Sequence, residues 1–330
     1  MAETARDEEY RADQANELAT VGPKGEDSSP SPRSPRPSAP SACSVTSSVQ
    51  GENLDTEMRA AYDRLRAIVR DLGSVLVAYS GGVDSALLLR VAVDELGAHA
   101  VAALAESAAY DAEETTEAER LAQQMGARLV RLRTRELEDP RYAANGADRC
   151  YFCKSELFDH LEPLRAELGL AHLAYGMNRD DHGDWRPGQR AARERGVRAP
   201  LDEAGLGKAA IRTLARHLGL PVWDKPAEAC YSSRIPYGTP VTAEALARIG
   251  RAERALRRLG LRQVRVRHHD TVARIEIDPA EFPRLLEPEL RERIVAAVRE
   301  AGYRFVALDL QGYRTGSLNE ALLRAKGGTS

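Results

Sequence analysis

The stretch Val77–Arg90, VAYSGGVDSALLLR, carries two adjacent glycines and an aspartate between an apolar run and an apolar helix-forming run. A strand, then Ser80-Gly81-Gly82-Val83-Asp84-Ser85, then a helix is the order of a phosphate-binding turn. The glycines let the backbone approach a ligand, and the turn amides with the helix N-terminus attract anions. Two common nucleotide loops are excluded. The G-x-x-x-x-G-K-[ST] loop needs a lysine that this turn lacks, and G-x-G-x-x-G needs separated glycines where Gly81 and Gly82 are adjacent.

Outward from the turn, short apolar runs alternate with amphipathic segments. Residues 57–73 read as a helix closed by Gly73, 75–80 as a strand, and 84–96 as a helix stopped at Gly97. Strands follow at 98–105, 128–134 and 172–176, with a helix at 112–125 and another before the last of these strands. This alternation predicts an α/β fold, a parallel sheet with helices on both faces. Ligands in such sheets sit beyond the carboxyl ends of the strands, where the opening turn lies. A smaller α/β region is predicted from residue 239. It holds a charged helix at 242–259, alternating strands QVRVRHH and VARIEID, a helical stretch at 281–301 and a strand at 303–310. The run Arg251–Arg258 within the first helix reads as a solvated face, and His268 and His269, adjacent in a strand, point to opposite faces and take no role.

The expected organisation is therefore a Ser- and Pro-rich tail over 1–55, poor in large apolar groups and disordered, then a nucleotide-binding domain over 56–238 and a smaller substrate-binding or oligomerisation domain over 239–330. Across 330 residues the net charge is −3, which favours neither a nucleic-acid partner nor a membrane surface. No run of about 18 uninterrupted apolar residues exists, and residues 1–18 lack the apolar core of a signal peptide. Four cysteines are too few for a disulfide scaffold at this length, so a reducing cytoplasm is expected.

The S-G-G-x-D-S pattern resembles the PP-loop of the ATP pyrophosphatases, which cleave ATP between its α- and β-phosphates and activate a substrate oxygen as an adenylate. The resemblance implies that Ser80, Gly81, Gly82 and Ser85 hold pyrophosphate and that Asp84 binds Mg²⁺ or polarises the loop, or else caps the helix. It places Glu106 and Ser107, at the end of the second strand, against the adenosine. Asn178, Asp180, Asp181 and Asp184 follow the 172–176 strand at the same edge; Asp180 is the first choice for Mg²⁺, with loop capping as the other role for these side chains. Arg186 and Arg234 are candidates for holding phosphate or carboxylate through paired donors.

Cys150 and Cys153 form a C-x-x-C pair in RCYFCK, and Cys230 lies in PAEACYSSR, while Cys43 sits in the tail. A C-x-x-C pair serves redox chemistry or half a zinc site. Three thiolates without a fourth suit a [4Fe–4S] cluster with one open iron, able to carry a sulfide.

Residues 199–242 together with YGMNRDDHGDWRPG (175–188) narrow the resemblance to the LarE family of PP-loop sulfur transferases, over roughly residues 56–325. Members adenylate a carboxylate of pyridinium-3,5-biscarboxylic acid mononucleotide and replace AMP by sulfur, in the assembly of the nickel-pincer nucleotide of lactate racemase. Sulfur comes either from a sacrificial cysteine in the AC-x-x-S-R block, where Cys230 stands, or from a cluster bound by three cysteines, the branch that Cys150, Cys153 and Cys230 resemble. The resemblance further implies that Arg265 and Arg267, which share one strand face, bind the mononucleotide phosphate, that a sulfide source recharges the cluster, and that the chain forms a homo-oligomer, a hexamer by analogy. Three other functions remain open: a tRNA thiolase, an amidating ligase and a nucleotide-binding regulator. The acidic charge opposes the first, and the cysteines have no use in the second.

Overall fold

The sheet that carries the turn has four parallel strands in the order β3-β2-β1-β4. The structure, a computed structural model, describes residues 54–183, 187–226, 229–314 and 316–319. Nearly all of the Ser- and Pro-rich tail, together with Asp184 and Arg186, lies outside the described residues.

Helix α1 (Thr56–Asp71) starts where the Asp55 carboxylate accepts the Met58 N–H at 2.7 Å. Strand β1 (Val75–Tyr79) runs into α2 (Val83–Leu96), then β2 (Ala100–Glu106), α3 (Ala112–Gln124) and β3 (Arg128–Arg133). The short α4 (Pro140–Ala143) and the long α5 (Arg149–Glu167) lead to β4 (His172–Tyr175). Helices α6 (Pro187–Glu194), α7 (Pro200–Glu203) and α8 (Lys208–His217) complete this part. Strand alternation divides the core into two layers. Val75, Val77 and Tyr79 face α1, α2 and α8, while Leu76, Val101 and Ala103 face Phe158 and Leu161 of α5 and Ala191 of α6. The chain leaves β1 toward β2 and β3, then returns to β4 on its other side. The sheet therefore has a switch point between the carboxyl ends of β1 and β4, the place where sheets of this type form a crevice for a ligand.

The C-terminal part begins with α9 (Ala243–Arg258), capped by the Thr242 hydroxyl on the Ala245 N–H at 3.1 Å. Strands β5 (Val264–His269) and β6 (Val272–Ile277) form an antiparallel hairpin, turned at Asp270 with φ +52°. A crossover through α10 (Pro288–Glu300) places β7 (Phe305–Leu308) parallel to β6. The helical stretch expected at 281–301 is two pieces. A 3-10 segment over Pro279–Leu286 precedes α10, because Pro283 and Pro288 remove the N–H donors that a continuous helix would need.

The described residues, from 54 to 319, form one compact unit. The three-stranded sheet has its own core of Val264, Val266, Ile275 and Ile277 against Leu256, Ile294 and Val298. Helix α9 belongs to two cores: Ala252 and Leu256 face this sheet, while Ala245, Leu246 and Ile249 pack with Ala109, Tyr142 and Tyr231. The solvated face expected over Arg251–Arg258 is thereby corrected. Glu253 within it is fully buried, and Arg254 and Arg257 reach Asp111 at 3.5 and 3.3 Å. No helix among the described residues is long and apolar enough to cross a membrane.

Candidate active site

The turn between β1 and α2 depends on its glycines. Gly81 has φ +73°, and a Cβ there would stand 2.4 Å from the Ala118 Cβ. Ser80 N–H donates to Ser85 Oγ at 3.2 Å, the two hydroxyls are 3.1 Å apart, and Ser85 Oγ donates to Gly82 O at 3.1 Å. Gly82 occupies the N-cap of α2 and brings no side chain to it, so the first amides of the helix face the crevice with the positive end of its dipole. From β4, Gly176 packs onto the same turn: a Cβ there would lie 2.8 Å from Ser85 N. The turn therefore lies at the switch point, against both strands.

Asp84, in the first turn of α2, pairs with Lys208 Nζ at 2.5 Å. Asp180, the other carboxylate expected to bind Mg²⁺, is occupied as a helix cap. Its Oδ2 accepts the Lys208 N–H at 2.7 Å, and the absence of a side chain at Gly207 lets the carboxylate sit within 3 Å of where a Cβ would be. Asp181 fixes the same loop, accepting the Asn178 N–H at 3.1 Å through its carboxylate and the Gln189 amide at 2.9 Å through its carbonyl.

Glu106 and Ser107 line a cavity of about 420 Å³ beyond the ends of β2 and β3, with Tyr110, Thr115, Thr116 and Arg133. The Glu106 carboxylate pairs across the sheet with Arg131, and Ser107 Oγ accepts the Ala109 N–H at 3.0 Å. The cysteine region adjoins this loop. Tyr231 N–H donates to Ala109 O at 2.8 Å, which ties the residue after Cys230 to the carboxyl end of β2.

Cys150 and Cys153 lie in the first turns of α5, and Cys230 precedes a 3-10 turn over Tyr231–Arg234. All three are free thiols within electrostatic reach of one another. Burial pushes the Cys150 thiol above its usual range, against the pull of the adjacent Arg149 guanidinium. Burial and then Cys230 push Cys153 well above the usual thiol range. Tyr110 is raised well above the phenol range, first by Cys153 and then by its own burial. Buried Arg149 keeps its charge against the cost of desolvation through Cys230 and Cys150; its Nη1 donates to Ser232 O at 2.9 Å and to Asn145 Oδ1. Asn145, with φ +56°, donates from Nδ2 to Pro236 O at 2.8 Å and Thr239 O at 2.7 Å, pinning the far side of the Cys230 segment. Glu136 is buried beside Cys153 and Tyr110 with no hydrogen-bond partner on either carboxylate oxygen. Among the described residues no group of three His, Cys, Asp or Glu side chains is placed to hold a single metal ion.

The arginines expected to grip the substrate are deployed differently. Arg234 is 1% exposed, and its Nε and Nη2 meet Glu253 at 2.8 and 2.9 Å. Its Nη1 donates to Ala229 O, to Cys230 O at 3.0 Å and to Ser233 Oγ at 3.0 Å. Its donors thus hold the Cys230 loop, and anion binding by Arg234 gives way to positioning. Arg267 is likewise buried, paired with Glu276 at 2.7 and 2.8 Å and donating to Ser233 O at 2.7 Å. Arg265 lies on the same face of β5, over the Tyr313 ring at 5.4 Å; burial, then the neighbouring Arg234, lowers its hold on the proton.

With this geometry the chain is similar to three curated proteins. Over 263 residues it is 39% identical to a protein of Lactiplantibacillus plantarum named pyridinium-3,5-bisthiocarboxylic acid mononucleotide synthase, covering 79% of this chain and 95% of that one. The chain belongs to the LarE family. Two uncharacterized proteins extend the likeness. One, from Synechocystis, is 45% identical over 81% of this chain and its own full length. The other, from Methanocaldococcus jannaschii, is 26% identical over 73% of this chain and 91% of its own. No protein-family model matches.

Within this LarE chain the sequence pointed to the turn, the second-strand end and the three cysteines, and the structure brings Cys150, Cys153 and Cys230 together. It passed over Lys208, Arg149, Tyr110, Asn145 and Glu136. Lys208 and Arg149 did carry a signal. Each begins a helix, where a cation runs against the helix dipole, and neither helix has an acidic residue in its first turn.

Proposed function

We propose that this chain is an ATP-dependent sulfur transferase that converts the carboxylates of pyridinium-3,5-biscarboxylic acid mononucleotide to thiocarboxylates in nickel-pincer nucleotide assembly. The observation that carries this reading is the Tyr231–Ala109 hydrogen bond. It fixes the Cys230 turn to the sheet edge that also bears the Ser80–Ser85 turn. In this reading the turn amides and the Ser80 and Ser85 hydroxyls hold the ATP phosphates. A substrate carboxylate oxygen attacks the α-phosphorus, pyrophosphate leaves, and an acyl adenylate forms. Sulfur then attacks the acyl carbon and AMP departs with the bonding pair, leaving a thiocarboxylate.

Of the carboxylates considered for Mg²⁺, Asp84 fits best, since it stands on the turn with its carboxylate paired to the Lys208 side chain, whereas Asp180 caps the backbone of α8. The cysteine region fits a [4Fe–4S] cluster by its donor set: three soft thiols, an orphaned polar group at Glu136 and a surround of Tyr142, Phe152 and Ile235. Cys150, Cys153 and Cys230 would hold the cluster, and its remaining iron would present sulfide as the sulfur source. Raised thiol affinities for protons mean that loading releases protons and is favoured at higher pH.

Incubation of the anaerobically reconstituted chain with ATP and the pyridinium dicarboxylate tests the reading. Expected are AMP, pyrophosphate, a sulfur-for-oxygen mass gain in the product, and about four irons per chain with broad absorbance near ~400 nm. Loss of hydrogen sulfide from Cys230 after one turnover would establish the sacrificial route instead. Activity on tRNA alone, or a colourless zinc protein, would overturn the respective half of the proposal.

A further inference from the structure

Three thiolates serve three irons of a four-iron cluster, so one iron is left without a cysteine. The thiol site also holds a carboxyl group that no other residue engages. Glu136 is 2% exposed, and among the described residues it alone has both carboxylate oxygens buried without a hydrogen-bond partner. A buried polar group left so is costly, and a cation is the partner that would satisfy both oxygens at once. We propose that Glu136 is the fourth protein ligand of the thiol site: its carboxylate closes the open iron of the cluster between turnovers and yields that iron to hydrosulfide. The inference rests on the cluster reading above and adds to it the side chain that guards the reactive iron.

The local structure turns Glu136 inward. It opens a 3-10 turn, Glu136–Glu138, after β3. Arg135 and Glu138 in this stretch are exposed, while Leu137 packs with Phe152, Cys153 and Cys230 in the cluster around Tyr142. The turn is tied to the helix of the C-x-x-C pair, since the Arg135 N–H donates to the Glu156 carboxylate of α5 at 2.7 Å. On its other side Asp139 caps α4, accepting the Arg141 N–H at 2.8 Å. The backbone under Glu136 is therefore held at both ends, with Cys153, Tyr110 and Tyr142 within electrostatic reach of the carboxyl group. Arg149, a buried cation of the same site, gives its Nη1 to Asn145 and Ser232 instead. A carboxylate is a hard oxygen donor and sulfide a soft one, so the oxygen is the exchangeable ligand. As hydrosulfide bonds to iron, the iron–oxygen bond breaks and the carboxylate leaves with its electron pair; no oxidation state changes. Glu136 returns once the sulfur has passed to substrate.

Spectroscopy on the anaerobically reconstituted full chain tests the assignment. In protein carrying glutamate labelled with carbon-13 at the side-chain carboxyl, the reduced cluster is expected to show a carbon-13 hyperfine coupling. Sodium hydrosulfide should abolish it, and Glu136→Gln should lack it. Glu136→Gln breaks no hydrogen bond of the free protein, so its stability to urea should match or exceed that of wild type. The variant is expected to bind hydrosulfide about 10-fold more tightly, because no carboxylate has to be displaced. On brief ferricyanide oxidation it should fall from about four irons per chain to about three, while wild type keeps its fourth. Absence of the coupling in labelled wild type would overturn the assignment without any variant. So would equal hydrosulfide affinity and equal iron loss in wild type and Glu136→Gln. A wild-type chain that takes up no four-iron cluster would overturn the cluster reading itself.

Discussion

Glu253 keeps a carboxylate at 0% exposure because Arg234 meets it with two parallel N–H donors, the Val266 N–H adds a third at 2.9 Å, and Arg257 approaches at 3.3 Å. Burial alone would raise this carboxyl's proton affinity; Arg234 outweighs it and holds the group below the usual carboxylate range. Removing one partner strands a buried charge, so Glu253→Ala is expected to cost about 3–5 kcal/mol in urea unfolding. The double variant Arg234→Met/Glu253→Leu should recover most of that stability, since a well-packed apolar pair replaces a desolvated ionic one. It should not restore the grip on Ala229 O and Cys230 O, and Cys230 should therefore alkylate faster with iodoacetamide than in wild type. Arg234 stood out in the sequence as a possible anion binder, but its role was not legible there. Its partner lies 19 residues on, in a run whose charge density reads as solvent-facing.

Among the elements, the β1–turn–α2 unit was the most legible, because glycine position and apolar alternation are local properties. Its strand was expected at 75–80 and stands at Val75–Tyr79, and its helix at 84–96 and stands at Val83–Leu96. What the sequence could not show is that β4 supports it. Gly176 reads as an ordinary strand end, yet backbone of Asp84 and Ser85 occupies the space where its Cβ would be. Gly176→Ala forces that turn to shift, since its neighbours there are main-chain atoms that cannot rotate away. ATP affinity measured by calorimetry should fall at least about tenfold, with a loss of about 1–3 kcal/mol in stability from overpacking. An unchanged affinity would show that the turn does not need β4 at its back.

For the molecule as a whole, acid sensitivity has an identifiable source in the C-terminal sheet. His268 is buried under α9 and α10, with Nδ1 3.1 Å from the Tyr303 hydroxyl and with Arg248, Asp270, Glu244 and His269 as its charged or titratable neighbours. Burial and then Arg248 lower its affinity for a proton below the ordinary value of about 6.5. Between the folded value and about 6.5 the unfolded chain binds more protons, so this stabilisation is complete above about pH 6.5 and is lost as pH falls through the folded value. In urea unfolding from pH 7.5 to 5, His268→Gln should flatten that decline. That His268 and His269 point to opposite faces was legible from the sequence; that His268 is the buried one was not. The closure of α9 between two cores was not, because it depends on contacts among residues 109, 142 and 231, far apart in the chain.

The arginine that bridges the sheets also sets an order of assembly. Arg267 on β5 donates to Ser233 O, Glu253 on α9 anchors Arg234, and Tyr231 packs against the bare backbone of Gly250. Each of these supports for the Cys230 turn is encoded downstream of it. During synthesis all three cysteines leave the ribosome before the residues that hold the third one in place. Folding proceeds from the N-terminus during synthesis, so the β1–β4 sheet and the C-x-x-C helix can form while the Cys230 turn has only its upstream contacts to Ala109, Asn145 and Arg149. A chain truncated before residue 243 would contain Cys150, Cys153 and Cys230 and yet lack these three supports of the Cys230 turn. Full support of the Cys230 turn thus waits for α9 and β5, the last-made elements that hold it.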